Sequence, residues 1–121
     1  MKYLLMIHSD EASWDALTEA ERMARVAQYS AFAQQARERS ALLAGDELQP
    51  TANATTVRVD DGKTIVTDGP YAETKEALGG FFLLEARSID EALELAKLLP
   101  APVSAGGIEI RPVYVDEGGE S

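Results

Sequence analysis

The sequence contains no cysteine. Disulfide bonds, a thiol nucleophile and thiolate metal ligands are therefore all excluded. It also lacks a long apolar run, because the stretch at residues 1–7 is far shorter than the roughly 20 residues that a membrane-spanning helix needs. No small-residue cleavage site follows a longer apolar segment, so we expect no signal peptide and a cytoplasmic location.

Basic residues are few and scattered along the chain. Lys and Arg number 11 against 21 Asp and Glu, which gives a formal net charge of −10. A surface that binds phosphates needs clustered cations, and the densest basic feature is only the pair Arg37 and Arg39. We therefore expect no nucleic-acid binding and no docking on an anionic membrane. The acidity itself favours solubility.

The remaining composition is that of an ordinary globular protein. Hydrophobic residues make up 45% of the 121 residues and charged residues 26%. A chain of this size can bury a core without a disulfide or a metal. We find no repeat and no linker, so residues 1–115 are predicted to form one domain. The polar, glycine-rich residues 116–121 are predicted to be a flexible tail.

Periodicity and capping signals predict the element order β-α-β, a β-hairpin, and β-α-β again. Capping boxes at Thr18 and Ser88 begin two helices, which extend to about Ser40 and to Pro100. An Asp61-Gly62 turn joins the hairpin strands, and the pair Gly79-Gly80 predicts a β-bulge or a close backbone approach. The predicted strands are residues 2–8, 41–44, 55–59, 63–67, 81–86 and 108–115.

This order predicts an α+β fold. Two helices packed on one face of a largely antiparallel sheet satisfy the layer rule for domains. The plan is a ferredoxin-like sheet with two helices on one face and an extra β-hairpin. The other face of the sheet is apolar and open, so we expect a homodimer whose sheets pack face to face.

His8 is the single histidine of the chain. It lies at the end of the first strand, where an imidazole reaches a pocket mouth and serves as a general base oriented by a carboxylate. The alternative is a hydrogen-bonded structural residue. A metal site from His8, Asp10 and Glu11 is not expected, because it has one nitrogen ligand and adjacent carboxylates that point apart. No cofactor is predicted.

The most informative segment is residues 68–75, Asp-Gly-Pro-Tyr-Ala-Glu-Thr-Lys. Its Gly-Pro pair fixes a tight turn, which holds Asp68 at a defined point after a strand. In an apolar pocket Asp68 would exchange protons near neutrality, unless Lys75 pairs with it or with Glu73. The alternatives are that Asp68 accepts N–H bonds within its own turn and that the segment around Tyr71 is a solvated loop shielding a sheet edge.

Aromatic residues are few and are mostly expected in the core. Trp14 differs, because it lies in the predicted loop before the first helix. There it either covers a cleft or seals the end of the helix.

The motif at residues 68–75 makes the chain resemble the DGPF branch of the YCII-related family. Tyr71 stands where the family name has Phe. The resemblance covers nearly the whole chain and implies a dimeric ferredoxin-like fold of the dimeric α/β-barrel type. Members of this branch are often encoded near extracytoplasmic-function sigma factors, which implies an accessory or regulatory role. The other matching segments are residues 2–7, 10–11, 79–80, the second helix and residues 109–113.

Other YCII-type members resemble enzymes that use a His and Asp pair, and one relative acts in chloroaromatic breakdown. The first-helix histidine of the shorter YCII proteins falls near Gln28 or Tyr29 in this sequence. Neither residue is a general base at neutral pH, so the chain departs from that enzymatic pattern.

Three functions are compatible with these observations. The first is a module that binds a small molecule in a cleft near the motif. Such a module would be an accessory to sigma-factor signalling. The second is a small lyase or hydrolase with His8 as base and Asp68 as orienter or acid. The third is a structural dimer, and the fold does not choose among them. We favour binding, because no complete catalytic set is visible. The candidate ligand-binding residues are Asp10, Tyr29, Tyr71, Glu73 and Lys75.

Overall fold

The computed structural model describes residues 1–102 and 106–115. Its elements, in chain order, are β1 (Lys2–Asp10), α1 (Glu11–Asp15), α2 (Glu19–Glu38), β2 (Leu42–Glu47), a 3₁₀ helix (Thr51–Asn53), β3 (Thr55–Asp60), β4 (Lys63–Asp68), β5 (Glu76–Glu85), α3 (Ile89–Ala96) and β6 (Gly106–Pro112). The predicted tail at residues 116–121 lies outside the described residues.

The main sheet has four strands in the order β2-β5-β1-β6, and each neighbouring pair is antiparallel. This arrangement confirms an α+β fold with an antiparallel sheet and is consistent with the ferredoxin-like plan. Strands β3 and β4 pair with each other and form a separate two-stranded sheet, which we call the β3–β4 ribbon. The ribbon is the extra hairpin expected from the Asp61-Gly62 turn, where both residues have positive φ.

The core lies between one face of the main sheet and the two longer helices. Strand β1 buries alternate residues, as its period of two requires. Helix α2 buries Phe32 and Ala36, and the Phe32 ring lies 4.8 Å from the ring of Phe82, centroid to centroid. Helix α3 packs against the same face of the sheet. The core therefore consists mainly of Tyr3, Leu5, Phe32, Ala36, Leu84, Ala92, Leu95 and Leu99.

The first capping box is present as predicted. The Glu21 backbone N–H donates to Thr18 Oγ1 (3.1 Å), and the Thr18 N–H donates to Glu21 Oε1 (2.9 Å). These bonds to Thr18 lower the pKa of the Glu21 carboxyl. At α3 only half of the box forms, because the Glu91 carboxylate accepts from the Arg87 N–H instead.

Two sequence predictions about strand and loop boundaries were wrong. The predicted loop around Trp14 is helix α1, whose first turn is capped by the Asp10 carboxylate. Strand β2 does not stop at Gly45 but continues to Glu47. A Cβ at position 45 would overlap the ring of Phe82 and come within 3.1 Å of the Phe81 carbonyl oxygen. Glycine is therefore needed here for close packing, and it does not end the strand.

The predicted bulge at the paired glycines is confirmed. Ile7 of β1 pairs with Gly80, whereas His8 pairs with Leu78, so the register shifts across Gly79. The backbone of Gly80 also lies close to the neighbouring strand β2, because a Cβ there would lie 3.1 Å from the Asp46 carbonyl oxygen. Strand β5 begins at Glu76, five positions before the predicted start at residue 81.

The last strand, β6, is an edge strand and ends at Pro112. This placement confirms the edge or strand-end position that a proline predicts. The strand covers residues 106–112, and the predicted continuation to residue 115 is not part of it. No helix within residues 1–102 and 106–115 is long and apolar enough to cross a membrane.

Candidate functional site

A cleft of about 630 Å³ opens between helix α2 and the β2–β5 half of the main sheet. We call it the α2 cleft. The buried residues of α2, Phe32 and Ala36, both lie in the C-terminal half of the helix. The N-terminal half has no buried residue, and Val26 there is 49% exposed. The volume is typical of sites that bind small molecules.

The floor of the α2 cleft is mostly apolar. It is formed by the helix-facing side of the sheet, including Ile7, Gly80 and Phe82. The wall is formed by α2, and Trp14 of α1 also lines the cleft. That Trp14 covers the cleft or seals the end of the helix stays a prediction.

Tyr29 and Glu47 are two polar residues that line the α2 cleft and act on each other. Glu47 is on the helix-facing side of β2, because its partner Gly80 also pairs with the buried Ile7. Burial raises the pKa of the Tyr29 hydroxyl, the positive charge of Arg25 lowers it, and the nearby Glu47 carboxylate raises it further. The Tyr29 phenol is therefore a neutral hydrogen-bonding group at physiological pH.

Glu11 connects the end of the cleft to the loop after β2. Its carboxylate accepts the Thr51 backbone N–H at 3.0 Å and also the Thr51 hydroxyl. Two bonds from one residue hold α1 against the 3₁₀ helix, although the two residues are 40 positions apart. This connection fixes the position of Trp14, which lies in the same short helix.

His8 lies on the opposite face of the sheet from the α2 cleft. It follows Leu4 and Met6 in the alternation of β1, and this face is away from the helices. Its Nε2 lies 3.2 Å from Oε1 of Glu109 on β6. In the part of the chain that the structure describes, no hydrogen bond or ion pair joins His8 to Asp68.

The turn at Asp68 is held by its neighbouring glycine. Gly69 has a φ of +108°, a conformation that favours glycine. Its N–H donates to the Ala54 carbonyl at 2.8 Å, and its own carbonyl accepts the Thr56 hydroxyl at 2.7 Å. The Asp68 side chain is exposed at the end of β4, where its register partner is Thr55. The turn is thus tied to strand β3 through the backbone of Gly69.

The rest of the motif packs on the β3–β4 ribbon. Arg58 donates to the Tyr71 carbonyl at 3.0 Å, and its guanidinium lies 5.1 Å from the centroid of the Tyr71 ring. Tyr71 is nevertheless 77% exposed. A second, smaller cavity of about 390 Å³ adjoins the motif and is lined by Gly69, Pro70 and Glu73, among others.

The predicted ligand-binding residues are dispersed over several parts of the fold. Tyr29 lines the α2 cleft, and Glu73 lines the smaller cavity. Asp10 is engaged as the cap of α1. The exposed side chains of Tyr71 and Lys75 lie in neither lining.

Sequence reasoning missed two acidic residues of these sites. Glu47 lies near Tyr29, and Glu109 lies near His8. Glu47 was overlooked because β2 was ended at Gly45, although alternation from Gly45 would have put Glu47 on the same face. Glu109 reaches His8 only through strand pairing, and the two residues are 101 positions apart. No local pattern indicates such a contact.

The acidic residues near His8 do not gather into a metal site. Asp10 accepts from the Ala12 N–H and the Ser13 hydroxyl, and Glu11 accepts from Thr51. Across the two described ranges, no three or more His, Asp or Glu side chains are grouped so that they could hold a metal ion.

These features define a small α+β domain with an antiparallel sheet, an additional ribbon and a cleft beside its longest helix. The chain belongs to the YCII-related domain family, whose family model matches residues 1–115. The resemblance of the sequence to the YCII-related family is thereby confirmed at the level of the family. The chain is also 39% identical over 121 residues to an uncharacterised protein of Rhizobium meliloti (strain 1021), with 99% of this chain and 98% of that protein covered.

Proposed function

We propose that this protein is a homodimeric module that binds a small molecule in the α2 cleft. The observation that carries the proposal is the cleft itself, which combines a volume of about 630 Å³ with an apolar floor and few polar groups. Pockets that bind small molecules have this composition. The binding function expected from the sequence is kept, but its main site moves from the Asp68 motif to α2.

The rim of the α2 cleft supports a binding role. Val26, Leu43 and Leu48 line the cleft and are all more than 40% exposed. Exposed apolar side chains grouped around a concavity mark an interaction site, whereas isolated ones do not.

The arrangement favours binding over catalysis by His8 and Asp68. His8 is on the face of the main sheet opposite the cleft, and its ring is bonded to Glu109. Asp68 belongs to the separate ribbon. Tyr29 has a raised pKa, so it is not a base at neutral pH. An accessory role in sigma-factor signalling rests only on the resemblance of residues 68–75 to the DGPF motif.

The homodimer rests on the open face of the main sheet. Leu4 pairs with Leu83 and Met6 pairs with Phe81 on this face, and all four side chains are partly exposed. Such an apolar strip is suited to pack against the same strip of a second copy of the chain.

The charges around this strip favour a second copy. Arg111 pairs with Leu4 at one end, where Lys2 also lies on the open face. The register partner of Lys2, Glu85, is bonded to the Met1 amino group. Glu109 and Asp46 are next to Met6 and Phe81, toward the other end. A two-fold arrangement that inverts one sheet relative to the other brings the basic end of one copy over the acidic end of its partner.

A fragment screen tests the binding function directly. Trp14 is the single tryptophan of the chain and lines the cleft, so its fluorescence reports on occupancy. Binding fragments should quench or shift this fluorescence and move the backbone amide signals of Tyr29 and Gly80. Ala33→Phe, which fills the cleft from α2, should abolish these changes. Ala31→Phe is the matched control, because Ala31 is exposed on the same helix and does not line the cleft.

Two results would contradict the proposal. One is a screen without hits. The other is a set of hits whose amide shifts gather at Gly69 and Glu73, which would return the site to the smaller cavity beside the motif.

A further inference from the structure

We propose that the α2 cleft selects a cationic ligand, namely an amine that is protonated at neutral pH and carried on an aromatic or aliphatic body. The proposal rests on the binding function of the same cleft. It follows from the charges, aromatic rings and apolar floor that the fold brings together there.

The charged residues that line the cleft are mostly acidic. Asp15, Asp46, Glu11 and Glu47 contribute carboxylates, whereas Arg37 is the single cationic residue among the described lining residues. The carboxylates are not equally available. Glu11 is occupied by Thr51, and Asp46 alternates to the other face of β2 from Glu47.

Asp15 and Glu47 are the carboxylates that remain, and Glu47 is the one whose charge acts on Tyr29. It lies on the helix-facing side of β2 and close enough to Tyr29 to raise the pKa of the phenol. In the ranges that the structure describes, no hydrogen bond or ion pair engages its side chain. The Glu47 side chain is exposed, so its attraction for an ammonium is that of a solvated ion pair and weakens as the salt concentration rises.

Arg37 is the cationic residue among the described residues of the cleft lining. It is eight residues beyond Tyr29 on α2, which at 1.5 Å per residue puts it about 12 Å along the helix from Tyr29. Arg25, one turn before Tyr29, does not line the cleft, and its guanidinium donates to the Ala101 carbonyl. The charge of Arg25 nevertheless acts on the Tyr29 phenol more strongly than that of Glu47. The acidic character near Tyr29 is therefore a property of the residues that line the cleft, and Arg25 opposes it from outside the lining.

Two aromatic side chains complete the site for a cation. Trp14 and Tyr29 both line the cleft, and the faces of indole and phenol rings attract ammonium groups. The neutral Tyr29 hydroxyl also offers an oxygen acceptor. Ile7, Val26 and Phe82 supply the apolar surface for the body of the ligand.

The net charge of the whole chain also favours a cationic ligand. A formal net charge of −10 raises the local concentration of cations and repels anions. Anionic ligands of the same size are therefore disfavoured before they reach the cleft.

Three probes of matched size separate charge from shape. These are 2-phenylethylamine, the neutral 2-phenylethanol and the anionic 3-phenylpropionate, each titrated against Trp14 fluorescence at low and moderate salt. We expect the amine to bind roughly fivefold more tightly than the alcohol, and the carboxylate to bind weakest. Glu47→Gln should remove most of the advantage of the amine, measured as the ratio of the dissociation constants of alcohol and amine. Glu94→Gln is the matched control, because it makes the same change in net charge on α3 and outside the cleft lining.

Each outcome has a defined meaning. Equal binding of amine and alcohol, or an equal loss of both in Glu47→Gln, overturns the cationic assignment and leaves the binding function standing. An equal effect of Glu94→Gln and Glu47→Gln on the amine overturns the role of Glu47 at the site. No binding by any probe overturns the assignment as well, and the binding function fails with it if the fragment screen is also empty.

Discussion

His8 and Glu109 are bonded across two neighbouring strands, with 3.2 Å between Nε2 and Oε1. The contact is diagonal, because the direct register partner of Glu109 is Met6. The side chains are 33% and 52% exposed, so an ion pair here contributes little to the stability of the isolated chain. Its location on the open sheet face puts it at the interface of the proposed dimer.

The first prediction concerns the partner of His8. In Glu109→Gln the imidazole ¹⁵N and ¹H signals of His8 should shift, because the carboxylate that contacts Nε2 is lost. In Asp68→Asn the same signals should stay unchanged, because Asp68 is on the separate ribbon. The single histidine makes the NMR assignment unambiguous. A shift in Asp68→Asn comparable to that in Glu109→Gln would restore the His8 and Asp68 pair.

The second prediction concerns the dimer. Leu83→Lys puts an ammonium in the middle of the open face, where burial of an unpaired charge costs several kcal/mol. We expect it to raise the dimer dissociation constant by roughly 100-fold or more, as measured by analytical ultracentrifugation. Leu93→Lys is the control, since Leu93 is comparably apolar but exposed on α3. A wild-type chain that sediments as a monomer at micromolar concentration would refute the interface, and so would a Leu83→Lys variant that remains dimeric.

The third prediction concerns the glycine of β2. Gly45→Ala introduces a methyl group that overlaps the Phe82 ring, and overpacking of this kind lowers the free energy of unfolding by about 1–3 kcal/mol. Gly107→Ala is the matched control in β6, because a Cβ there has no heavy atom within 4 Å. Urea denaturation of both variants measures the difference. Equal stabilities would mean that Phe82 moves aside without cost.

The fourth prediction concerns the ionisation of Tyr29. Its pKa is raised from the usual 10.0, first by burial. The stabilisation from the neutral phenol is therefore complete below about pH 10 and is lost as the pH rises through the higher, folded-state pKa. The difference in absorbance at 295 nm between the wild type and Tyr29→Phe isolates this phenol from the other tyrosines. Glu47→Gln should lower the midpoint, because the Glu47 carboxylate helps to raise it.

An unchanged midpoint in Glu47→Gln would count against the proximity of these two groups. It would also remove the main support for a cationic ligand, since that proposal depends on Glu47 facing the same space as Tyr29.

Local signals in the sequence were sufficient for most of the fold. The Thr18 capping box, the Asp61-Gly62 turn and the Gly79-Gly80 bulge are each determined by a few adjacent residues, and each is present. These features depend on backbone conformation and nearest-neighbour hydrogen bonds, which a short segment encodes by itself.

The failures come from interactions between distant segments. Gly45 was interpreted as a strand end because glycine is usually a poor strand residue, whereas the Phe82 ring from another strand is what requires it. Helix α1 has five residues, too few to show a helical period. The α2 cleft is lined by residues of β1, α1, α2, β2 and β5, and no spacing of residues in one segment predicts how these elements pack together.

Phe82 belongs to the floor of the α2 cleft and is also packed against the Phe32 ring in the core. Replacing it to accommodate a different ligand would therefore damage folding at the same time. The rim residues do not also pack in the core, because they are exposed; they are Val26, Leu43 and Leu48. Among relatives, substitutions that change the ligand preference should therefore occur at the rim, while the residues of the floor stay constant. Efforts to engineer a new preference should begin at those three positions.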